Sequence, residues 1–332
     1  MKKYTNEELT QNIINMLKEK TKKDYKKGHT KRDAHSKCLG LLKAQFIVNK
    51  NLPKEYQVGI FKNPKTYNAF IRVSNSNPKV KGDKSKDLRG FSIKLLDVKG
   101  ERFPSNEDHT QDFLLISHDT MPIGTLKLFH DAIYYTTKSN PLILGGKILL
   151  QGKMFQMINL LKDMKHHTSP LDLKYFSTTP YMFGDKKVKY ILVPTSKYKS
   201  RLPKKLTNTY LSENMQKHLK KHEATFDFIA QFQTNEKEMP TTDAAVKWDT
   251  KKSKMIKLAT VKIPMQIFAT RNRYKLAETL SFSPGHSLED HKPIGDINLG
   301  RVKIYEEMSK FRHLRNAEVL YEPTNKDFYR TK

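Results

Sequence analysis

The pattern of hydrophobic and polar positions changes its period along the chain. Residues 4–20 repeat apolar positions every three to four residues, which predicts an amphipathic helix. The apolar positions of this helix are Leu9, Ile13, Met16 and Leu17. Thr5 and Glu8 have the spacing of a capping box at its start. From about residue 44 the period becomes two, which is typical of β-strands.

Runs with this period of two predict a series of strands separated by turn residues. The runs are AQFIVN (44–49), YNAFIRVSN (67–75), GFSIKLLDV (90–98), QDFLLISH (111–118), KYFSTTPY (174–181), VKYILVP (188–194), ATFDFIAQFQ (224–233), MIKLATVKIP (255–264) and MQIFATRNRY (265–274). Residues 125–166 have a helical period instead. About eight strands, a helical insert and a helical tail predict an α+β fold built on an antiparallel barrel. We expect residues 1–30 to form a helical arm and residues 31–332 a single domain.

The composition is that of a packed protein with a large positive charge. The chain of 332 residues is 37% hydrophobic, enough for a sizeable core, and it has a formal net charge of +28. Such an excess attracts nucleic acid, an anionic lipid surface or anionic small substrates, although a solvated lysine-rich surface is the simpler explanation. We find no phosphate-binding loop, zinc-finger spacing or RNA-binding strand motif, so we expect no specific nucleic-acid partner.

The compartment is inferred from cysteine usage and from the N-terminal pattern. Cys38 is the only cysteine, which rules out an intrachain disulfide and fits a reducing compartment. The N-terminal residues lack the apolar core of a signal peptide, and no apolar run reaches the roughly 18 residues of a transmembrane helix. We therefore expect a cytoplasmic protein.

One stripe of the segment GRVKIYEEMSKFR (300–312) is polar although the segment otherwise has the pattern of a packed helix. Successive helical residues differ by about 100°, which aligns residues three, four and seven apart. The residues of the stripe are Arg301, Tyr305, Met308 and Arg312. A solvent-facing stripe is the simpler explanation of this segment taken alone.

Two further blocks carry the same residue types. In KRDAHSKCLGLLKAQF (31–46), Arg32 lies three residues before His35. In AFIRVSNSN (69–77), strand alternation places Arg72 and Ser74 on one face, opposite Ile71. Taken singly, these residues are typical of structural roles, because buried arginines are usually paired and a lone histidine is usually structural.

A histidine pair is the other local candidate for chemistry. His286 and His291 flank SLED in a turn-rich stretch, and a metal site there lacks a third convincing ligand. We therefore expect these two histidines to lie in a surface loop.

Taken together and in order, the three blocks resemble segments of the haem-dependent catalase superfamily, in its short catalase-related peroxidase or mini-catalase form. RDAHSKCLGLLKAQF is similar to the distal-histidine segment, FIRVSN and DLRGFSIKLLDVKGE (87–101) to the Arg-x-Ser and Arg-Gly-Phe strands, and LSFSPGHSLEDHKPIGDINLGRVKIYEEMSKFRH (280–313) to the proximal Arg-x-x-x-Tyr segment. The resemblance covers roughly residues 30–316. It implies a catalase-like eight-stranded barrel with C-terminal helices, in a haem-binding domain at 31–332.

The resemblance also implies roles on the proximal side of a haem b. Tyr305 would be the axial ligand of the iron, the tyrosine ligation known from catalase. Arg301, one turn earlier, would stabilise the phenolate. Arg32, Arg72 and Arg312 match the positions that bind the haem propionates.

On the distal side, the resemblance makes His35 the general acid and base, oriented by Ser74. Long catalases pair this histidine with an asparagine in an Asn-Asn-Thr-Pro stretch. The comparable region here is SNEDHTQDFLLISHD (105–119), where Gln111 takes the aligned position and Asn106 is the alternative.

Three functions remain open from the sequence. The first is a haem-dependent hydroperoxidase acting on hydrogen peroxide or organic hydroperoxides. The second is an isomerase that rearranges fatty-acid hydroperoxides into allene oxides. The third is a basic binding protein that keeps a catalase-like scaffold without enzymatic activity. A peroxide is the expected small-molecule partner, and the sequence is compatible with an oligomer.

Overall fold

The computed structural model describes residues 4–104, 109–150 and 152–331. Its α-helices are α1 (Asn6–Asp24), α2 (Leu126–Thr137), α3 (Pro141–Leu150), α4 (Met154–Asp163), α5 (Tyr210–Lys221), α6 (Arg271–Thr279), α7 (Asp296–Asn316) and α8 (Asn325–Arg330). Its strands are β1 (Cys38–Val48), β2 (Thr66–Asn75), β3 (Arg89–Leu95), β4 (Arg102–Phe103), β5 (Gln111–Ile116), β6 (Tyr175–Phe176), β7 (Tyr181–Phe183), β8 (Lys186–Pro194), β9 (Ala224–Phe232), β10 (Met255–Ile263) and β11 (Ser287–Leu288).

Eight antiparallel strands close into a barrel. Their order around the ring is β5, β3, β2, β1, β10, β9, β8 and β6. The short strand β6 closes the ring because it pairs with β5 through Phe176 and with β8 through Tyr175 and Phe176. Strand β7 extends β8 outside the ring, and β4 pairs with β11 in a separate ribbon. The predicted α+β fold with an eight-stranded antiparallel barrel is confirmed.

The alternation of side chains along β2 separates the barrel interior from its outer face. Ile71 and Val73 belong to the hydrophobic core inside the barrel. Phe70, one residue out of phase, packs instead in a separate cluster with Leu280. Arg72 has the outward parity of Phe70, so it reaches the outer surface of the barrel, as the alternation predicted.

The N-terminal helix packs against helices α2 and α7. The predicted capping box is present, since Thr5 Oγ1 accepts from Glu8 N and the Glu8 carboxylate accepts from Thr5 N. One apolar cluster joins α1 to α2 and α7; its buried members are Leu9, Ile13, Ile14, Met16, Leu17, Leu126, Ile304 and Met308. Gly300 allows the close approach, because a Cβ there would lie 2.8 Å from Leu126 Cδ1. Helix α1 therefore stabilises α7 through this apolar cluster.

One predicted strand is wrong. MQIFATRNRY contains the start of helix α6 at Arg271. The hydroxyl of Thr270 caps this helix by accepting from Arg273 N at 3.3 Å. Phe268 packs tightly on Gly40. The apolar residues before α6 therefore lie in a packed loop and do not form a β-strand.

The helical insert is confirmed as the three helices α2, α3 and α4. Helix α5 is an element that the pattern analysis did not identify, although Leu211, Met215 and Leu219 repeat with a helical period. No helix in the described ranges is long and apolar enough to cross a membrane.

Candidate active site

A cavity of about 320 Å³ lies between the outer face of the barrel and helix α7. Six of the predicted site residues line it: Arg32, His35, Arg72, Arg301, Tyr305 and Arg312. They come from the segment before β1, from β2 and from α7, so the fold brings all three sequence blocks together. The cavity wall is otherwise largely apolar, with Leu114, Met121 and Phe282 among its residues.

His35 is held against the barrel in a defined orientation. Its backbone is left-handed, with φ 54°, which is uncommon for a residue other than glycine. Ser74 Oγ lies 3.0 Å from Nδ1, and Arg72 donates to the His35 carbonyl at 2.9 Å. Gly90 faces the ring, and a Cβ there would lie 2.5 Å from Nδ1. Because Nδ1 contacts the serine, Nε2 is the nitrogen left for proton transfer.

The surroundings of His35 keep its ring neutral. Burial lowers the pKa of His35 to about 3, with the positive charges of Arg72 and Arg301 adding to the effect. A neutral imidazole at physiological pH can accept a proton. The site therefore holds a base that is unprotonated before any substrate arrives.

Arg32 and Arg312 converge on the C-terminal end of α6. Arg32 donates to the carbonyls of Ala277 and Leu280, the first at 3.0 Å. Arg312 donates to the carbonyl of Glu278 and, at 3.5 Å, to that of Leu280. The terminal carbonyls of a helix carry partial negative charge, which holds these guanidiniums in place.

The carboxylate of Glu278 partly neutralises the cluster. Its oxygens lie 3.8 Å from Arg32 Nη1 and 3.8 Å from Arg72 Nη2, and it accepts from Lys31 at 3.1 Å. Burial would by itself raise the pKa of Glu278, but Arg32 and Arg72 outweigh this effect and lower it. Burial and the neighbouring Arg72 and Arg312 depress the pKa of Arg32. The cluster thus keeps an excess of positive charge.

This cluster has unused donors. Among the described residues, Arg32 Nη1 and Arg72 Nε are buried and have no hydrogen-bond partner. Buried donors normally have partners, because an unpaired one costs about 1–3 kcal/mol. Excess positive charge and unpaired guanidinium nitrogens beside an apolar cavity fit a flat apolar ligand with carboxylates at one edge, and the haem propionates have this chemistry.

On the opposite wall, Arg301 and Tyr305 lie one turn apart on α7. The Arg301 guanidinium carbon is 5.4 Å from the centre of the Tyr305 ring, and Nη1 donates to Thr179 Oγ1 at 2.9 Å and to Asn298 Oδ1 at 3.2 Å. Burial works to lower the pKa of Arg301, but the phenol oxygens of Tyr305 and Tyr181 outweigh it and raise the pKa. The Arg301 guanidinium is thus a fixed cation beside the Tyr305 ring.

Gln111 is not brought together with the other site residues. Its buried side chain accepts from Leu288 N at 2.9 Å, and it does not line the cavity. Gln111 begins β5 with the same inward parity as Phe113, whose side chain fills the barrel core. Asn106, the alternative, lies outside the described residues.

The opposite end of β5 supplies the polar groups that sequence reasoning missed. His118 and Thr120 line the cavity, just beyond the last strand residue Ile116. Asp163 Oδ2 lies 2.7 Å from His118 Nδ1, and Thr120 Oγ1 lies 3.3 Å from Nε2. The clustering of His, Asp and Thr directly after a predicted strand end was the available signal.

The remaining histidine pair is structural. No group of three potential metal ligands occurs in the part of the chain that the structure describes. His286 Nδ1 lies 2.9 Å from the Asp112 carboxylate and 3.1 Å from the Lys94 ammonium. The expected surface loop is wrong for His291, which is fully buried against Phe61 and accepts from Ile60 N at 3.2 Å.

Comparison with known proteins bears on the fold. No family model matches the sequence, and no curated protein matches it. Three solved structures are similar: a fungal catalase (16% identity, TM-score 0.69, covering 89% of this chain and 63% of that one), a bacterial catalase (12%, 0.68, 89% and 61%) and catalase A from Saccharomyces cerevisiae (14%, 0.67, 88% and 65%).

The chain thus spans less than two thirds of the length of each of these catalases. The likeness extends over almost all of this chain at sequence identities of 16% or less. Together with the closed eight-stranded barrel, it shows that this chain has a catalase-like fold.

Proposed function

We propose that the chain is a haem-dependent hydroperoxidase that acts on hydrogen peroxide or organic hydroperoxides. The observation that carries the proposal is that Tyr305 and His35 line one cavity together with Arg32, Arg72 and Arg312. A catalase-like fold has no structural need for a buried arginine cluster with unused donors, so a bound dicarboxylate explains it best.

The residues divide the binding of haem b between them. Tyr305 would ligate the iron as phenolate, with Arg301 as the neighbouring cation. The planar, positively charged guanidinium groups of Arg32, Arg72 and Arg312 would bind the propionates. Haem, when bound, supplies the iron and the redox chemistry that cleaves a peroxide O–O bond.

His35 moves the proton in this proposal. Its neutral Nε2 accepts the proton of the incoming hydroperoxide and returns it to the departing oxygen, so that the leaving group departs as water or an alcohol. Ser74 and Gly90 keep the imidazole in place for both transfers. The low pKa of His35 makes the first transfer available at neutral pH.

The apolar cavity wall supports a second candidate function. Leu114, Met121 and Phe282 offer no hydrogen bonds to hydrogen peroxide, and they suit the chain of a fatty-acid hydroperoxide. An isomerase that forms allene oxides would use the same cavity. Product analysis after incubation with a fatty-acid hydroperoxide and an organic electron donor separates the two: an alcohol formed together with oxidised donor indicates reduction, and an allene oxide or its hydrolysis products indicate isomerisation.

Haem uptake is the direct test. The purified full chain is mixed with haemin, and the ferric absorbance spectrum is compared between wild type, Tyr305→Phe and Tyr321→Phe, a half-exposed tyrosine that does not line the cavity. We expect a stable spectrum for wild type and Tyr321→Phe and a lost or greatly weakened one for Tyr305→Phe. Failure of wild type to bind haem overturns the proposal, and salt-sensitive nucleic-acid binding by that haem-free protein favours the basic binding protein.

A further inference from the structure

Helices α3 and α4 expose an unusual number of apolar side chains. The exposed ones are Leu142, Ile143, Leu149, Leu150, Met154, Phe155, Ile158 and Leu161. Leu150 is 88% exposed, Leu142 81% and Phe155 69%. Single exposed apolar residues are ordinary on protein surfaces, but a contiguous group marks an interaction site.

The burial pattern shows that this face has no partner within the described chain. None of the 10 residues of α4 is buried, although six of them are leucine, isoleucine, phenylalanine or methionine. In α3, Ile148 is buried and faces the rest of the protein. Helices in water are normally stabilised by burying one apolar face, so we expect the apolar face of α4 to pack against something outside the described chain.

Exposed lysines lie beside this apolar surface. Residues 138–165 contain five lysines and one acidic residue, Asp163, and three of these lysines (Lys138, Lys147 and Lys153) form ion pairs with acidic residues of other segments. Lys162 and Lys165 are exposed beside the apolar side chains of α4. The whole chain carries a net charge of +28, so two copies would repel each other and an anionic surface would attract either.

We propose that α3 and α4 form a docking surface for an anionic lipid bilayer. Each helix has 10 residues, about 15 Å, which is half of the roughly 30 Å needed to span the hydrocarbon core. The helices therefore lie in the interface, with leucine and phenylalanine side chains among the acyl chains and lysines at the lipid phosphates.

This surface adjoins the cavity. Leu160 of α4 lines the cavity, and Asp163 at the end of α4 contacts His118, another lining residue. A docked protein would hold the cavity beside the bilayer, where hydroperoxides of acyl chains form. Delivery of such substrates rests on the proposed function, whereas docking itself requires no haem and no turnover.

Vesicle co-sedimentation tests the docking. The full chain is mixed with vesicles of phosphatidylcholine alone or of phosphatidylcholine with phosphatidylglycerol. We expect stronger binding to the anionic vesicles, weakening as salt is raised. The double variant Leu150→Ser with Phe155→Ser should bind about tenfold or more weakly, because two exposed anchors lose their transfer free energy.

A matched control has the same kind of substitution on another face. Met265 and Ile267 are 62% and 60% exposed, and Met265→Ser with Ile267→Ser should bind vesicles like wild type. Wild type that stays in the supernatant, or a control that loses as much binding as the test variant, overturns the proposal. A wild-type dimer that dissociates in the test variant but not in the control also overturns the proposal, because the apolar face would then be an interface between two copies of the chain.

Haem uptake is recorded on the same preparations. Vesicle binding without haem uptake supports the docking surface and contradicts the proposed function. Haem uptake without vesicle binding supports the proposed function and contradicts the docking surface. The two proposals can therefore fail separately.

Discussion

The two walls of the cavity are built in different ways. On the α7 wall, Arg301 and Tyr305 come from one helix and meet because they are one turn apart. On the barrel wall, the position of His35 depends on contacts with Ser74 and Gly90, which lie on two further segments. The pKa shifts are opposite as well, since the histidine loses its proton more easily and Arg301 holds its proton more tightly. One wall is set by local helix geometry and the other by strand pairing.

The largest expected effect is a loss of activity without a loss of haem binding, after a substitution on the barrel wall. His35→Gln should lower the rate with hydroperoxides by about a hundredfold or more, since the proton acceptor is removed. Because the proposal assigns the iron ligand to the other wall, we expect the ferric spectrum to persist. His29→Gln, at an exposed position, is the control for assay and spectrum. A spectrum lost together with activity would mean that the two walls do not act separately.

A smaller change tests the strand-built wall by sterics alone. Gly90→Ala places a Cβ 2.5 Å from His35 Nδ1 and 2.7 Å from Ser74 Oγ. We expect a loss of activity of about tenfold or more and a loss of about 1–3 kcal/mol in the free energy of unfolding, measured by urea titration.

Gly145→Ala on α3 is the matched control for this change. A Cβ at Gly145 meets nothing within 4 Å, and it should stabilise the helix by about 0.5–1 kcal/mol. Equal effects of the two substitutions on activity would remove the steric explanation.

Substitutions in the arginine cluster, at the edge of both walls, should change the affinity for haem rather than the rate of the reaction. Arg32→Gln removes a fork with a buried unpaired nitrogen, and we expect haem to bind about tenfold more weakly. Arg271→Gln, outside the cavity, is the control. Titration of the ferric absorbance with haemin measures the difference, and unchanged affinity would contradict the propionate assignment.

Buried histidines on and away from the cavity should make the stability of the protein depend on pH. Burial lowers the pKa of His35 and of His291 to about 3 and that of His167 to about 4. The unfolded chain protonates these residues below about pH 6.5, whereas the folded chain does not. The free energy of unfolding should therefore fall as the pH decreases from about 6.5 to about 4, by about 1.4 kcal/mol per pH unit for each histidine.

Histidine substitutions test this slope. In urea titrations at several pH values, His291→Gln should reduce the slope of the free energy of unfolding against pH by the contribution of one histidine. His29→Gln should leave this slope unchanged. A slope that is the same in wild type and His291→Gln would show that His291 is not protonated selectively on unfolding.

Prediction from sequence succeeded where the signal was local. The period of two located most barrel strands, and Thr5 with Glu8 marked the start of α1. It failed at α6, because the apolar residues before Arg271 imitate a strand although Thr270 caps a helix. The aligned position of Gln111 predicts a place beside His35, but the register of β5 in the closed barrel turns the Gln111 side chain inward, away from the cavity.

The sequence by itself determined the elements and the residue types of both walls, because helix and strand periods align side chains only a few positions apart. Only the tertiary structure decided that Glu278 lies between Arg32 and Arg72 and that His118 faces the cavity. Glu278 is separated from Arg72 by more than two hundred residues, and no local period connects them. Barrel closure and the packing of α6 bring such residues together, since both depend on burying apolar surface across the whole chain.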